Sequence, residues 1–306
     1  MKPFDVLVAG EINPDLILSG DVEPAFGQVE KLVESAALTV GSSSAIFACG
    51  AARLGLKTAF IGICGSDIFG RFMLEEMALR GVDIRNVISL PGGSTGLSVI
   101  LNRGSDRAIL THPGLISALK AQDLSDDLLR QTRHLHVASY FLQTALQPGL
   151  PRLFERAHRL GVSTSLDTNY DPSEQWQGFD ELLPLTDVFL PNQTEACSLT
   201  KLNDVDLAAD RLAGKVETLA IKLGAAGALG VRHGQKVRAA SLPVSVVDTV
   251  GAGDSFDAGF IYGYLKGWAL EKTLRVAAVC GALSTRAAGG TTAQATFEEV
   301  EQYGTG

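Results

Sequence analysis

Two rhythms of apolar positions run along this chain. Phe4 to Gly10 is a nearly continuous apolar run, the pattern of a strand covered on both faces, and Glu11 to Leu18 continues as a second extended piece. Gly41 Ser42 Ser43 Ser44 Ala45 then opens a helix through Ala52 and Arg53 that stops at Leu54 Gly55. Lys57 to Gly62 reads as a strand, and Asp67 to Arg80 as a helix begun by its aspartate and ended by Gly81. Val82 to Ser89, Thr95 to Asn102 and Arg107 to Thr111 are short extended runs divided by Gly-Gly, Asn-Arg-Gly-Ser-Asp and Pro-Gly turns. Together with Ile12 to Leu18 they predict a small antiparallel sheet outside the main layer, a lid.

From His134 the rhythm alternates regularly: strand 134–138, helix 148–160, strand 162–167, helix near 178–183, strand 187–190. Strands that alternate with helices imply right-handed crossovers and a parallel sheet covered on both faces. Further on, Ile221 to Leu229 reads as strand, turn, strand, and Leu242 to Val247 as a strand or extended arm. Phe256, Phe260 and Tyr264 recur at helical spacing, and Val276 to Ala288 is a small-residue helix ending in Gly289 Gly290. No linker and no repeat divides the chain, so one α/β domain over 1–306 is expected, with lid segments inserted at about 11–39 and 92–112.

Composition narrows the partners. The chain has 306 residues, 46% of them hydrophobic, and 33 glycines, which suits an enzyme with a large core and many tight turns. A formal net charge of −8 argues against nucleic acid. The most apolar region, Thr39 to Gly65, is interrupted by Arg53 and Lys57 and is no membrane span. Met1 Lys2 Pro3 Phe4 Asp5 lacks signal-peptide organisation, so cytoplasm is expected. Cys49, Cys64, Cys197 and Cys280 form no Cys-x-x-Cys pair and read as free thiols, and the five histidines give no metal-ligand spacing.

The chemistry concentrates in Asp248 Thr249 Val250 Gly251 Ala252 Gly253 Asp254 Ser255 Phe256. Three small residues at a helix start leave backbone N–H groups open at the end whose dipole favours negative charge, an anion cradle. Asp254, a carboxylate beside that cradle, suits a base that takes a proton during phosphoryl transfer to a hydroxyl. On these residues alone, ordinary helix capping remains an equal alternative. Gly-x-x-x-x-Gly-Lys-Ser/Thr does not occur, and a dinucleotide fingerprint would need glycine where Phe256 stands.

The longer string, Asp-Thr-x-Gly-Ala-Gly-Asp-x-Phe-x-x-Gly-Phe, resembles the second signature of the ribokinase-like carbohydrate kinases, the PfkB family. The resemblance extends from Gly10 to Gly290. It implies a ribokinase-like three-layer α/β/α fold with a mainly parallel central sheet and a small β-sheet lid. It also implies transfer of the γ-phosphoryl group of ATP to a sugar hydroxyl, with Gly251, Ala252 and Gly253 as anion hole and Asp254 as base. Asp15, after the first strand, would bind sugar hydroxyls. Gly41, Ser42 and Ser43 stand at the first signature, where Val40 replaces a glycine and Ala45 an asparagine common in the family. Asp167 and Asn169 match an Asp-Pro-Asn element with Thr168 for proline, which adds Asn169 to the sugar site, and Asp171 stands where many members have arginine.

Asn192 Gln193 Thr194 Glu195 follows Phe189 Leu190 Pro191 and reads as a capping box. By resemblance, Asn192 and Glu195 also organise magnesium and phosphate, Glu195 through the metal's waters. Lys222, Gly224, Gly227 and Gly281 would border the nucleotide, and Asp248 a monovalent cation such as K+. The implied cofactors are thus ATP and Mg2+, with K+ as an addition. The alternatives within this frame are a nucleoside or sugar-phosphate kinase and a catalytically idle sugar sensor. Added Arg or Lys near Asp15 and Ser42 would favour a phosphorylated or acidic substrate, and Lys31 and Arg103 are the basic residues placed near the lid. Pairing of two lids would hide their exposed faces and give a homodimer.

Overall fold

In the computed structural model, which describes residues 2–103 and 106–304, strands gather into sheets of eight, four and two among the described residues. The first third supplies β1 (Phe4–Ala9), β2 (Pro14–Ser19), β3 (Ser35–Val40), α1 (Ser43–Arg53), β4 (Thr58–Ile61), β5 (Ile63–Gly65), α2 (Ile68–Leu79), β6 (Ile88–Leu90), β7 (Leu97–Arg103) and β8 (Asp106–His112). The middle supplies α3 (Asp126–Arg130), β9 (Thr132–Val137), α4 (Leu150–Arg159), β10 (Ser163–Leu166), β11 (Val188–Phe189), α5 (Gln193–Thr200) and α6 (Val205–Ala213). Last come β12 (Thr218–Lys222), β13 (Ala228–Arg232), β14 (Gln235–Ala239), α7 (Ala252–Leu265), α8 (Leu270–Ser284) and α9 (Phe297–Gly304).

The large sheet has the order β14-β13-β12-β11-β10-β9-β1-β4, parallel from β12 to β4 and antiparallel at its β13 and β14 edge. The run in β1 explains the layering. Its side chains alternate, so Val6 and Val8 join the core under α1, α7 and α8, while Leu7 and Ala9 join the core under α4 and α6. Both faces are therefore covered, in the expected three-layer α/β/α arrangement. Because the central strands run parallel, the loops after β1, β9, β10, β11 and β12 emerge on one side of the sheet.

The small sheet has the order β3-β2-β7-β8. It departs from the expectation in three ways. It is mixed, because β2 and β7 are joined by a long crossover through α1, β4 and α2 and so lie parallel. It includes β3, whose largely exposed residues gave no alternating signal. It excludes Val82 to Ser89, where Asp83 bridges to Ala59 and β6 pairs with β5 in the separate two-stranded sheet.

Other expectations are corrected too. Residues 178–183 form no α-helix; there is a single 3-10 turn at Leu183–Leu185, where Pro184 lacks the N–H that a longer helix needs. Leu242 to Val247 joins no ladder, so of its two readings the strand falls and the arm remains. The last small-residue helix begins earlier than expected, at Leu270, and ends at Ser284. Gly104 and Ser105, placed in a turn on sequence grounds, lie outside the described residues. Cys49, Cys64 and Cys280 are buried and Cys197 half-buried, all as free thiols. Burial pushes the Cys49 and Cys280 thiols up to about 12, which makes them unreactive.

Candidate active site

The start of α7 carries the small-residue turn. Gly251 sits in the left-handed region at φ 72°, and a Cβ there would lie 2.6 Å from the Gly290 Cα, so the turn closes only with glycine. Asp254 occupies the first turn of the helix and is buried. Its carboxyl is held well above the ordinary range, by burial first and then by the Asp167 carboxylate and Glu11, with Lys222 and a Ser43 hydrogen bond opposing.

Lys222 ends β12 and reaches across to two other carboxyls. Its Nζ donates to Asp167 Oδ2 at 2.9 Å and to Asp257 Oδ2 at 3.1 Å. Burial works against its charge, but Asp167, Asp257 and Glu195 outweigh burial and raise its pKa. Asp167, Asp254 and Asp257 each bring a carboxylate oxygen within 4.8 Å of the others. Asp167 follows β10 and Asp257 lies one turn past Asp254, so the strand order and the helix start together assemble this cluster.

Asn192 caps α5 and closes the expected box. Glu195 N donates to Asn192 Oδ1 at 2.9 Å, and Asn192 N donates to Glu195 Oε2 at 2.8 Å. Asn192 Nδ2 reaches Glu195 Oε1 at 2.5 Å, and the Thr168 hydroxyl reaches Oε2 at 3.4 Å. Burial and the neighbouring Asp167 raise Glu195 to about 7, against the pull of Lys222.

On the other side of Asp254, Glu11 gathers the serines. Its Oε1 accepts from Ser42 Oγ at 3.0 Å, Ser44 N at 3.2 Å and Ser139 Oγ at 2.9 Å, and its Oε2 accepts from Ser44 Oγ at 2.6 Å. Asn169 Nδ2 donates to Ser43 Oγ at 2.5 Å and Ser139 Oγ at 2.9 Å. Ser42, Ser139 and Asn169 have φ of 65°, 51° and 54°, and all three line one cavity, where such backbone strain tends to collect. Asp15, on β2, faces the same cavity; burial raises it to about 7, with Arg107 opposing and Asp248 and Glu11 adding to the rise. A Cβ on Gly41 would lie 2.2 Å from Asp15 Oδ1, so glycine there lets the carboxylate in. Asp248 accepts from Val250 N at 3.0 Å and Gly289 N at 2.9 Å.

Two cavities meet at α7. One, of about 530 Å³, is polar and holds Asp15, Ser42, Ser43, Asn169, Asn192, Glu195 and Asp254. The other, of about 500 Å³, is mainly apolar and is walled by Gly224, Gly227, Ala252, Gly281 and the 242–246 arm. Lys222, Gly224, Thr249 and Gly253 line both. The other sequence-expected residues line these two cavities, whereas Gly41 and Asp248 line neither: Gly41 lies against Asp15, and Asp248 is bonded to Val250 N and Gly289 N. Sequence reasoning passed over Glu11, Ser139, Arg107 and Asp257. Glu11 and Ser139 follow the ends of parallel strands, a placement that itself marks the ligand side of such sheets. Lys31 and Arg103 line neither cavity and instead pair with Asp21 and Glu23.

Residues 4–296 match the model of the pfkB family carbohydrate kinases. The chain belongs to that family. By family it is therefore a phosphotransferase with an alcohol group as acceptor. Among curated relatives, an uncharacterized sugar kinase of Archaeoglobus fulgidus is 34% identical over 76% of this chain and 94% of its own length. A 5-dehydro-2-deoxygluconokinase of Geobacillus thermodenitrificans is 29% identical over 99% of this chain and 93% of its own. Of solved structures, an E. coli protein described as ribokinase II, in complex with ATP and Mg2+, superposes with a TM-score of 0.88 at 24% identity, over 98% of both chains. Among the described residues, no helix is long and apolar enough to cross a membrane.

Proposed function

We propose that this kinase transfers the γ-phosphoryl group of ATP to a hydroxyl of a sugar, with Asp254 as the base. The observation that carries the reading is the position of Asp254 on the polar cavity, one residue from Gly253, which lines both cavities. ATP would lie in the apolar cavity with its phosphates toward residues 251–253, whose amides favour the charge that develops in transfer. The sugar would lie against Asp15, Ser42, Ser43 and Asn169, with its reacting hydroxyl at Asp254. The small sheet would act as a lid that excludes water, a competing acceptor.

The oxygen donors beside the cradle suit a hydrated Mg2+, since the Glu195 oxygens that accept from Asn192 keep further lone pairs for its waters. When bound, the ion supplies neutralisation of phosphate charge, and Asn192 and Glu195 would hold it through water. The half-buried carboxylate of Asp248 offers oxygen to a monovalent cation, and replacing potassium by choline tests that part of the proposal. A dimer through the outer face of the small sheet would cover its exposed Leu38 and Leu110. Dependence on ATP carries a cytoplasmic setting with it.

Arg107 favours a narrower substrate class. It lines the polar cavity and acts on Asp15, which is the added cation expected for an anionic substrate. A sugar acid or sugar phosphate would set its anionic group toward Arg107 and a hydroxyl toward Asp254. The test is an ADP-release screen with MgATP over neutral sugars, sugar acids, sugar phosphates and nucleosides. Turnover of a sugar that collapses in Asp254→Asn supports the proposal; sugar binding without any turnover across the screen would point to the idle sensor instead.

A further inference from the structure

Asp257 is buried at 1% exposure, and its two oxygens are treated unequally. Oδ2 accepts from Lys222 at 3.1 Å, while Oδ1 has no hydrogen-bond partner among the described residues. Lys222 bridges the Asp257 carboxyl to that of Asp167, and an oxygen of each lies within 4.8 Å of the other, so two like charges would face each other here unless one carboxyl holds a proton. The surroundings agree. Asp257 is faced by Asp254 from its own helix, by Asp167 from the end of β10 and by Lys222 from the end of β12, with Glu195 of α5 acting on the same lysine. His136 of β9, further along this face of the sheet, is fully buried and kept neutral by burial, so it supplies no compensating charge. Three ionised carboxylates against one ammonium would leave a net negative charge of two in a buried place that borders a phosphate cradle, an arrangement that repels the nucleotide. Burial and Asp167 hold Asp257 well above the ordinary carboxylate range, in the same sense as the geometry.

We propose that Asp257 is a positioning residue that works as a neutral carboxyl: it shares one proton with Asp167, and with Lys222 the pair forms a charge-balanced clamp beneath the cradle. The pair then carries a single negative charge, balanced by Lys222, and adds none beside Asp254, the proposed base. The pattern is that of two carboxyls side by side whose environments assign the proton to one of them. The inference rests on the reading of Asp254 as base, but it is testable without turnover.

Infrared spectra of the full-length protein, recorded above the value of about 7 to which Asp15 and Glu195 are raised, report protonated carboxyl groups directly. The expected result is a protonated-carboxyl band in the wild type that persists in Asp254→Asn and disappears in Asp257→Asn. A wild type without the band, or a band that survives in Asp257→Asn, overturns the proposal. Should Asp257→Asn fail to fold, Asp167→Asn serves in its place, since Lys222 then balances Asp257 alone and the proton and its band are lost. In the wild type, affinity for MgATP should fall by about tenfold per pH unit once the pair gives up its proton, a slope that Asp257→Asn lacks. Turnover of Asp254→Asn is measured separately: if it persists, the assignment of the base fails while the infrared result still decides the state of Asp257.

Discussion

Replacing Lys222 by methionine removes the cation and keeps most of the side chain's volume. The lysine side chain is 12% exposed, and its two carboxylate partners are 1% exposed each, so solvent cannot take over its role. Breaking a buried pair by deleting one partner costs about 3–5 kcal/mol, because the other charge stays buried without compensation. If Asp257 is already neutral, only Asp167 is left unbalanced, and the loss should fall near the low end, about 3 kcal/mol. At about 2–4 °C per kcal/mol, the melting temperature should drop by about 6 °C or more. The pH dependence follows from the direction of the shifts. Without the lysine, the folded pKa of Asp257, already raised by burial, rises further above its unfolded value. Carboxyls raised in this way favour the fold at low pH, and their contribution is lost as pH rises through the folded pKa. The deficit of Lys222→Met should therefore shrink toward acid and widen toward alkali. Denaturant unfolding of wild type and variant at several pH values measures it, and the double variant with Asp257→Asn should recover part of the loss. A deficit below about 1 kcal/mol, the size of an exposed ion pair, or one independent of pH, would refute the reasoning.

Asp254→Asn should bind ATP normally and lose about 10² to 10⁴-fold in kcat, measured by coupled ADP release; an unchanged kcat removes Asp254 from the chemistry. Glu195→Gln should raise the Mg2+ concentration needed for half-maximal rate, whereas a variant that only melts earlier would show capping to be its whole role. Because Asp15 is raised to about 7 and accepts hydroxyl bonds best when ionised, kcat/KM for the sugar should rise as pH passes through about 7, and Asp15→Asn should flatten that limb. The same shift stabilises the fold below the ordinary carboxylate range and ceases to do so as pH rises through about 7. Gly41→Ala, whose Cβ would meet Asp15 Oδ1 at 2.2 Å, should raise the KM for sugar and spare that for ATP.

What could be read in the sequence was whatever local physics records. The parallel strands are buried on both faces, so β1 appears as a nearly continuous apolar run, and the starts of α2 and α5 carry Asp67 and Asn192 as caps. The cradle was legible because its small residues are contiguous. Features set by distant partners left little trace. Exposed β3 earns its place only through the ladder to β2. Glu11 meets Ser44 and Ser139 across separations of 33 and 128 residues, and Lys222 meets Asp167 across 55. Arg107 was passed over because its relation to Asp15 depends on how the small sheet folds over the cavity.

These long-range contacts join the two halves of the site. Asp254 lines the same cavity as Ser43, and hydrogen bonds join Ser43 to Asn169, Asn169 to Ser139, and Ser139 to Glu11. Each link comes from a different element, so the polar wall of one cavity is tied to the cradle of the other without a flexible segment between them. A hydroxyl brought in against Ser43 and Asn169 would be placed by this network beside Asp254, and orientation is where most of the rate of such a transfer arises. The strained backbones at Ser42, Ser139 and Asn169 fit that role, since φ of 65°, 51° and 54° persist only where the surrounding bonds hold them. On the proposed reading, position relative to the phosphate would be built into the hydrogen-bond network, and the small sheet, with Asp15 and Arg107, would decide which sugar enters.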